Sequence, residues 1–335
     1  LCLRALAPVA ARAGAQLEAL DANGQGSLME RAGEKPPVFE TVARGPGDTA
    51  AILYTSGTTG RSKGAILSHD NLLSNALALK DIWRFTPNDV LLHALPIFHV
   101  HGLFVATNVI LAAGASMIFL PKFDAAEMIR LMPQATTMMG VPTFYTRLLT
   151  NPDFTREATR SIRLFISGSA PLLPQTFAEF DARTGHRILE RYGMTETGMI
   201  ASNPYDGERR AGSVGFPLPG VSVRIANPEC GDVLAQGETG VIEVSGPNVL
   251  SGYWKKPELR KSEFRADGFF ITGDLGMIDA EGYVSIVGRA KDLIISGGLN
   301  VYPKEIEALI DSIEGVVESA VFGVPHPDFG EAVAA

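Results

Sequence analysis

Cysteine is scarce in this 335-residue chain, which has only Cys2 and Cys230. Two cysteines exclude a disulfide-rich scaffold and any metal site built from several thiolates. They fit a reducing cytosol, so we expect a cytoplasmic protein. Basic residues are outnumbered, because 29 lysines and arginines stand against 37 aspartates and glutamates, for a net charge of −8. We therefore expect no nucleic-acid partner and no anionic-membrane surface as the main target.

The longest run without a charged residue covers residues 90–121. Its length would suit a transmembrane helix, but prolines, glycines and histidines interrupt it and no basic flank orients it. We predict instead a strand, a loop, a buried helix near residues 103–112 and a second strand, hence no membrane span. The chain also lacks an initiator Met and ends inside an apolar run, so we expect it to be an internal part of a longer protein.

Strand and helix patterns alternate along the first two thirds of the chain. Short apolar strands are separated by helical segments such as residues 125–132 and 175–184. This alternation indicates a mostly parallel sheet covered by helices. After about residue 205, short alternating strands lie among glycines and prolines, which predicts a β-rich lobe.

A charged segment at residues 288–292 marks a second change of character. A helix beginning at Pro303 and a strand over residues 316–324 are predicted after it. We therefore expect an N-terminal core over residues 1–287, with an α/β part to about residue 205 and the β-rich lobe from about 206 to 287. Residues 288–335 would form a hinge and the beginning of a small, incomplete α+β domain.

The strongest local motif is Tyr54-Thr-Ser-Gly-Thr-Thr-Gly-Arg-Ser-Lys-Gly64. Glycines allow backbone N–H groups to close on an anion, hydroxyls donate further hydrogen bonds, and a cation balances charge. We place this loop between a strand and a helix and predict phosphate binding, with a mobile polar loop as the alternative. The expected phosphate-binding residues are Thr55, Ser56, Gly57, Thr58, Thr59 and Lys63.

This loop resembles the signature loop of the adenylate-forming superfamily, which includes acyl-CoA synthetases, luciferases and peptide-synthetase adenylation domains. Further motifs of that superfamily follow in order. Four segments resemble its adenine-side loop, nucleotide motif, ribose motif and hinge: Ser167-Gly-Ser-Ala-Pro171, Arg191-Tyr-Gly-Met-Thr-Glu-Thr197, Thr272-Gly-Asp274 and Gly288-Arg-Ala-Lys-Asp292. The resemblance implies an adenylate-forming fold with a large α/β core, the β-rich lobe and a small hinged domain.

The resemblance also implies roles for individual residues. Glu196 would ligate Mg²⁺, beside a Thr195 hydroxyl for the α-phosphate, and Lys291 would lie at the hinge. Nucleotide binding is expected for Gly168, Ser169, Ala170, Arg191, Tyr192, Gly193, Asp274 and Arg289, and CoA binding for Gly297 and Gly298. From the residues alone, alternatives stay open: Thr195 and Glu196 as a helix cap, Asp274 in a tight turn, and Tyr192 in the core.

The implied reaction joins a carboxylic acid to a thiol at the expense of ATP. The acid would form an acyl-adenylate with release of pyrophosphate, and CoA would then displace AMP. One superfamily element is missing, since no Pro-x4-Gly-Lys motif with the adenylation lysine lies between residues 288 and 335. The chain as given is thus expected to bind nucleotide poorly or to adenylate weakly.

The segments over residues 99–104 and 207–215 resemble those of malonate–CoA ligases. In those enzymes an arginine holds the carboxylate that is not activated, and Arg210 matches it, with Ser213 beside it. His99 and His101, which would share a face of a strand, and Met139 are the other expected acid-binding residues. We favour malonate as the acid. Methylmalonate, medium- or long-chain acids, a carrier-protein thiol and a non-catalytic nucleotide-binding homologue remain alternatives, and the oligomeric state, a homo-oligomer included, stays open.

Overall fold

The computed structural model describes the chain except for residues 1, 22, 56–61, 297–298, 314, 317 and 328. The described residues form two compact units, residues 1–44 and residues 45–335. The first unit contains helices α1 (Cys2–Ala13) and α2 (Ser27–Gly33). Ser27 ties the start of α2 to the preceding loop, because its hydroxyl donates to Glu18 and accepts from the Ala19 amide.

The second unit holds the other helices and strands of the described residues. Its strands are β1 (Thr49–Thr55), β2 (Lys63–Ser68), β3 (Val90–His93), β4 (Ser116–Phe119), β5 (Thr137–Gly140), β6 (Leu164–Ser167), β7 (Leu189–Met194), β8 (Gly198–Ser202), β9 (Ser213–Pro217), β10 (Ser222–Ala226), β11 (Gly240–Ser245), β12 (Gly252–Tyr253), β13 (Phe270–Ile278), β14 (Val284–Arg289), β15 (Ile294–Ser296), β16 (Leu299–Val301), β17 (Phe322–His326) and β18 (Gly330–Ala334).

Its helices are α3 (His69–Ile82), α4 (Thr107–Ala113), α5 (Ala125–Leu131), α6 (Pro142–Leu149), α7 (Pro174–Thr184), α8 (Leu259–Glu263) and α9 (Pro303–Asp311). A π-helical turn, His101–Ala106, leads into α4, and 3-10 turns cover Met132–Gln134 and Ala290–Asp292. Among the described helices, none has both the length and the apolar content that crossing a bilayer requires.

One sheet dominates the described part of this unit, with eleven strands in the order β10-β11-β13-β14-β9-β8-β7-β6-β5-β3-β4. Strands β4, β3, β5, β6 and β7 pair in parallel, which confirms the predicted parallel region. From β7 onward every neighbouring pair is antiparallel. The predicted β-rich lobe therefore continues the edge of the parallel sheet.

Local sequence signals explain where several helices begin and end. Ser68 accepts from the Asn71 amide at 3.1 Å, and the Asn71 side chain accepts from the Ser68 amide at 2.9 Å, which forms a capping box for α3. Helices α7 and α9 begin with a proline, whose fixed φ suits the first helical turn. Gly185 ends α7 with a φ of +75°, a conformation that glycine adopts without strain.

The largest core cluster packs the parallel strands against the helices that connect them. Trp83, Tyr145, Phe154, Phe165 and Phe180 are its largest fully buried side chains. A second cluster lies in the antiparallel half, and a third surrounds β2 and β12. Because aromatic side chains bury the most area, the parallel half is the more heavily packed support for the residues at its edge.

Strand β2 lies between the predicted phosphate loop and helix α3, and it pairs antiparallel with β1 in a small sheet completed by β12. One sequence prediction about local structure is wrong in its bounds. The strand predicted over residues 316–324 begins only at Phe322 and continues to His326. It belongs to a four-stranded sheet in the order β16-β15-β18-β17, and its pairing partner β18 determines where it starts.

Candidate active site

Polar side chains gather at one edge of the parallel strands. His93 ends β3, Gly140 ends β5 and Ser167 ends β6, and the register pairs Gly140 with Ser167. Both ring nitrogens of His93 and the Ser167 hydroxyl are buried without a hydrogen-bond partner among the described residues. Ligands of open α/β sheets bind beyond the carboxyl ends of the strands, so this edge is the expected place for a site.

Arg191, on β7, is the most unusual charged residue at this edge. Its side chain is buried, at 3% exposure, and its Nε and Nη2 atoms have no hydrogen-bond partner among the described residues. Burial lowers the pKa of Arg191 to about 10, and the nearby Tyr145 offsets this only in part. A buried guanidinium without a partner is costly unless an anion completes it. The family resemblance implies that Arg191 contacts the nucleotide, and that role remains a prediction.

Gly168 makes room for this guanidinium. A Cβ atom at residue 168 would lie 2.5 Å from Arg191 Nη1, so a larger residue would displace the charged group. The next residue, Ser169, has a φ of +73°, which is rare for a residue other than glycine. Ala170 follows on the exposed side of the loop. The predicted adenine-side loop therefore lies directly against Arg191.

The two predicted acid-binding histidines do not share a strand face. His101 starts the π-helical turn and is buried, while His99 is exposed and its Nδ1 accepts from the His101 amide at 3.2 Å. The Ser169 hydroxyl lies 3.2 Å from His101 Nδ1. Burial, and next the charge of Arg191, hold the pKa of His101 well below its usual value. His101 is thus a neutral ring between the adenine-side loop and Arg191.

Thr195 and Glu196 lie in the turn between β7 and β8, so the helix-cap alternative does not apply. Glu196 is buried, and its Oε1 accepts from the Thr55 hydroxyl at 3.1 Å and the Tyr253 hydroxyl at 3.4 Å. Burial raises its pKa, which these hydrogen bonds counteract. One buried carboxylate beside hydroxyls fits Mg²⁺ that is shared with phosphates. No group of three or more acidic, His or Cys side chains among the described residues forms a cage for a metal on its own.

Lys63 connects the phosphate loop to a distant part of the chain. It starts β2, is buried, and forms an ion pair with Glu263 at the end of α8. The ammonium also lies 5.3 Å from the centroid of the Tyr253 ring. Thr55 and Lys63 therefore stand at the two ends of the loop, beside Glu196 and Glu263. The predicted phosphate-binding residues Ser56, Gly57, Thr58 and Thr59 lie outside the described residues.

Three predicted nucleotide residues are brought together on the antiparallel half. Asp274 is buried on β13, accepts from the Tyr192 hydroxyl and pairs with Arg289, whose Nε lies 2.9 Å from Asp274 Oδ1. Burial raises the pKa of Asp274 against the effect of these partners. The Tyr192 ring packs in the second core cluster, so its hydroxyl, rather than a free ring face, reaches Asp274. Lys291 is exposed on the 3-10 turn that follows β14.

Arg210, predicted to hold the second carboxylate, already has acidic partners. Its guanidinium forms ion pairs with Glu208, Asp279 and Glu281 and lies 4.0 Å from the centroid of the Tyr283 ring. The hydrogen bond to Glu281 is the main cause that raises the pKa of Arg210. An incoming carboxylate would compete with all three acids.

The remaining predicted residues have structural contacts of their own. Ser213 is buried, and its hydroxyl donates to the Val284 carbonyl at 2.9 Å. Met139 is fully buried in the main core, and Gly193 allows the close approach of the Gly198 carbonyl across the β7–β8 turn. Gly297 and Gly298 lie outside the described residues. The binding roles of these residues remain predictions.

Sequence reasoning missed Tyr253, Glu263 and Glu190. Tyr253 and Glu263 contact Lys63 and Glu196 only through tertiary structure, and no local motif marks them. Glu190 is buried directly before Arg191, and its carboxylate accepts from the amides of Leu172 and Gly212. The signal for Glu190 was available, since a carboxylate next to a buried motif residue in an apolar strand is unusual.

Comparisons with known proteins bear on this arrangement. A family model described as "AMP-binding enzyme" matches residues 6–254. A malonate–CoA ligase of Arabidopsis thaliana is 40% identical over 318 residues, which cover 89% of this chain and 52% of the relative. A long-chain-fatty-acid–CoA ligase of Bacillus subtilis is 38% identical over 294 residues, covering 86% of this chain and 52% of the relative.

Solved structures are similar over almost the whole chain. ATP-bound MatB from Rhodopseudomonas palustris superposes with a TM-score of 0.96 at 64% identity, covering 99% of this chain and 66% of that one. The chain spans about half the length of the curated relatives described above.

Proposed function

The chain belongs to the AMP-binding enzyme family and has the adenylate-forming fold. We therefore propose that it is part of an ATP-dependent acid–thiol ligase. The enzyme would form malonyl-CoA from malonate and CoA through a malonyl-adenylate, releasing AMP and pyrophosphate. Its similarity to a malonate–CoA ligase and to MatB supports this proposal.

The observation that carries the choice of a dicarboxylic acid is the buried Arg191 guanidinium. Its free Nε and Nη2 atoms match the two oxygens of a carboxylate, and a bidentate pair would satisfy both at once. A fatty acid would leave the guanidinium unpaired in a water-poor site, which disfavours the long-chain alternative.

The residue proposed to contact the second carboxylate is therefore Arg191 and not Arg210. The resemblance pointed to Arg210, with Ser213 beside it, but the three acids around Arg210 favour a supporting role in the loop before β9. Arg191 is the better candidate, because it is buried and its Nε and Nη2 atoms have no hydrogen-bond partner within the described ranges. His99, His101 and Met139 are proposed to line the same subsite.

In the first step, a malonate oxygen forms a bond to the α-phosphorus of ATP, and the bond from that phosphorus to pyrophosphate breaks. Lys63, Thr55 and the adjoining loop would bind the phosphates, and Thr195 would hold an α-phosphate oxygen. When bound, Mg²⁺ would neutralise phosphate charge beside Glu196. Positioning and charge neutralisation account for most of such catalysis, since the protein forms no covalent bond.

In the second step, the sulfur of CoA bonds to the acyl carbon, and the bond from that carbon to AMP breaks while the thiol proton is released. Asp274, Tyr192 and Arg289 are proposed to hold the ribose, with Gly168, Ser169, Ala170 and Gly193 beside the base. Gly297 and Gly298 are proposed to approach the thiol, with Lys291 at the hinge. We also propose a cytoplasmic location, consistent with the low cysteine content.

The proposal is tested by acid-dependent exchange of pyrophosphate into ATP and by AMP release, using the natural full-length protein. The rates with malonate, methylmalonate and octanoate are measured for the wild-type enzyme and for the Arg191→Gln variant. We expect malonate to give the highest rate and the variant to lose it. Octanoate as the best acid, unaffected by the substitution, would refute the dicarboxylate assignment.

A further inference from the structure

The side chains around Lys63 form a connected network, here called the lysine–tyrosine network, made of Thr55, Lys63, Glu196, Tyr253 and Glu263. Glu263 pairs with Lys63 through Oε1 and accepts from the Tyr253 hydroxyl through Oε2 at 2.8 Å. The same hydroxyl lies 3.4 Å from Glu196 Oε1, which Thr55 also contacts at 3.1 Å. The network thus runs from the phosphate-side cation to the metal-side carboxylate.

Backbone pairing holds the network's parts at fixed positions. Tyr253 lies on β12, which pairs with β2 in a register that sets Tyr253 opposite Ala65. The Trp254 amide also donates to the Gly64 carbonyl at 2.7 Å. Lys63 and Tyr253 therefore sit on neighbouring strands, and α8 brings Glu263 to both.

Around Tyr253, the network has more hydrogen-bond acceptors than protons to donate. One Tyr253 hydroxyl has a single proton to donate, yet two carboxylates lie within its reach. Burial is the main cause that raises the pKa of Tyr253, and the nearby charge of Glu196 adds to it. A cation beside Glu196 would leave the hydroxyl proton to Glu263, which in turn orients Lys63.

We propose that Tyr253 and Glu263 are positioning residues of the phosphate site. Glu263 holds the Lys63 ammonium at the end of the phosphate loop, and Tyr253 links that ion pair to Glu196. This inference rests on the proposed function, because it assigns Lys63 to the polyphosphate and Glu196 to the metal. It adds two residues, far apart from the loop in sequence, that set how tightly Mg-ATP binds.

The test measures KM for Mg-ATP, kcat and the Mg²⁺ concentration at half-maximal rate in the natural full-length protein. Hydrogen bonds to charged groups are worth enough for about a tenfold change. We expect Glu263→Gln to raise KM for Mg-ATP about tenfold, with a decrease in kcat of less than about threefold. Tyr253→Phe should raise the Mg²⁺ requirement about fivefold.

The double variant gives the sharper result. Since the two residues act through one network, Tyr253→Phe combined with Glu263→Gln should be no worse than the more severe single variant. If the loss in the double variant equalled the product of the losses in the two single variants, the proposal would be overturned. A lower melting temperature with unchanged KM and Mg²⁺ dependence would also overturn it, because it would show a purely structural role.

Glu258→Gln is the matched control, since Glu258 is exposed on the same segment and outside the network. Calorimetric binding of Mg-ATP separates this inference from the proposed function. If wild-type protein shows no acid-dependent exchange while the two variants still bind Mg-ATP more weakly, the ligase proposal fails and the positioning role stands. If exchange occurs and both variants bind Mg-ATP as wild type does, the positioning role fails.

Discussion

Arg191 and Arg210 place the same guanidinium group in opposite surroundings. Arg191 lies buried at the edge of the parallel strands, and two of its nitrogens have no partner in the part of the chain that the structure describes. Arg210 lies in the loop before β9, where three carboxylates hold it. A stable structure pairs its charges, which is why we propose that the partner of Arg191 comes from outside. Under this proposal, the surroundings of the two arginines are a better guide to their roles than the motifs in which they lie.

The largest expected effect follows from removing the unpaired charge. Arg191→Met should decrease kcat/KM for malonate by about a thousandfold, in the range found when one partner of a buried charge pair is removed. It should also raise the melting temperature of the ligand-free protein, because an uncompensated buried charge is lost. Steady-state kinetics and thermal unfolding measure the two effects. A decrease in both activity and stability would indicate a structural arginine and contradict the comparison.

Glu190 connects the two regions and supplies the second prediction. Its carboxylate accepts from the Leu172 amide, beside the adenine-side loop, and from the Gly212 amide, beside Arg210. Burial raises its pKa from 4.5 to about 7. The folded protein therefore keeps this proton up to about pH 7 while the unfolded chain releases it near pH 4.5, and the free energy of unfolding falls with rising pH between these values.

The Glu190→Gln variant lacks this titration. It should gain stability relative to wild type as the pH rises from 4.5 to 7, by up to about 3 kcal/mol, and hold that gain above pH 7. Urea unfolding at pH 5 and pH 8 measures the difference, with Glu258→Gln as the control. If the free energy of unfolding changed equally with pH in wild type and in Glu190→Gln, the pKa of Glu190 would be normal and the prediction wrong.

Gly168→Ala tests the space around Arg191 while keeping its charge. The added Cβ would lie 2.5 Å from Nη1, so the guanidinium must move away from its position. We expect KM for malonate to rise about tenfold, corresponding to about 1.4 kcal/mol, with a smaller change in KM for ATP. Gly47→Ala, which has open space, is the control. An equal rise of both KM values would mean that the loop, rather than Arg191, was disturbed.

The smallest effect is expected for Arg210→Gln. The three acids that pair with Arg210 are partly or largely exposed, and such ion pairs contribute little, so kcat/KM for malonate should change by less than about threefold. The rates with malonate and octanoate are compared for this variant and wild type. If kcat/KM for malonate fell as far as in Arg191→Met, Arg210 would be the residue that binds the second carboxylate, and the assignment to Arg191 would be wrong.

Features coded within a few residues could be predicted from the sequence. The proline that opens α9 and the alternation of strands and helices in the parallel region are both local, and the structure confirms them. The antiparallel pairing of β1 with β2 was not predicted, because the composition of a loop does not specify the direction in which its two flanking strands pair. The late start of β17 depends on β18, which a single segment does not specify.

For the candidate site, the motifs singled out Thr55, Lys63, Glu196 and Asp274 as candidate phosphate, metal and ribose ligands. They could not show what those residues contact. Glu263 meets Lys63 across 200 positions of sequence, and Glu281 meets Arg210 across 71. Such pairs depend on strand order and register, for which adjacent residues carry no signal.

The turn after β7 has a consequence for substrate length. Arg191 and Glu196 lie on one strand and the tight turn that ends it, so the backbone fixes the distance between their Cα atoms. Both side chains are buried, which limits how far either charged group can move. This limit matters if both groups contact the same acyl-adenylate. Diacids longer than malonate would then be rejected for their length, even where their chemistry at both ends is identical.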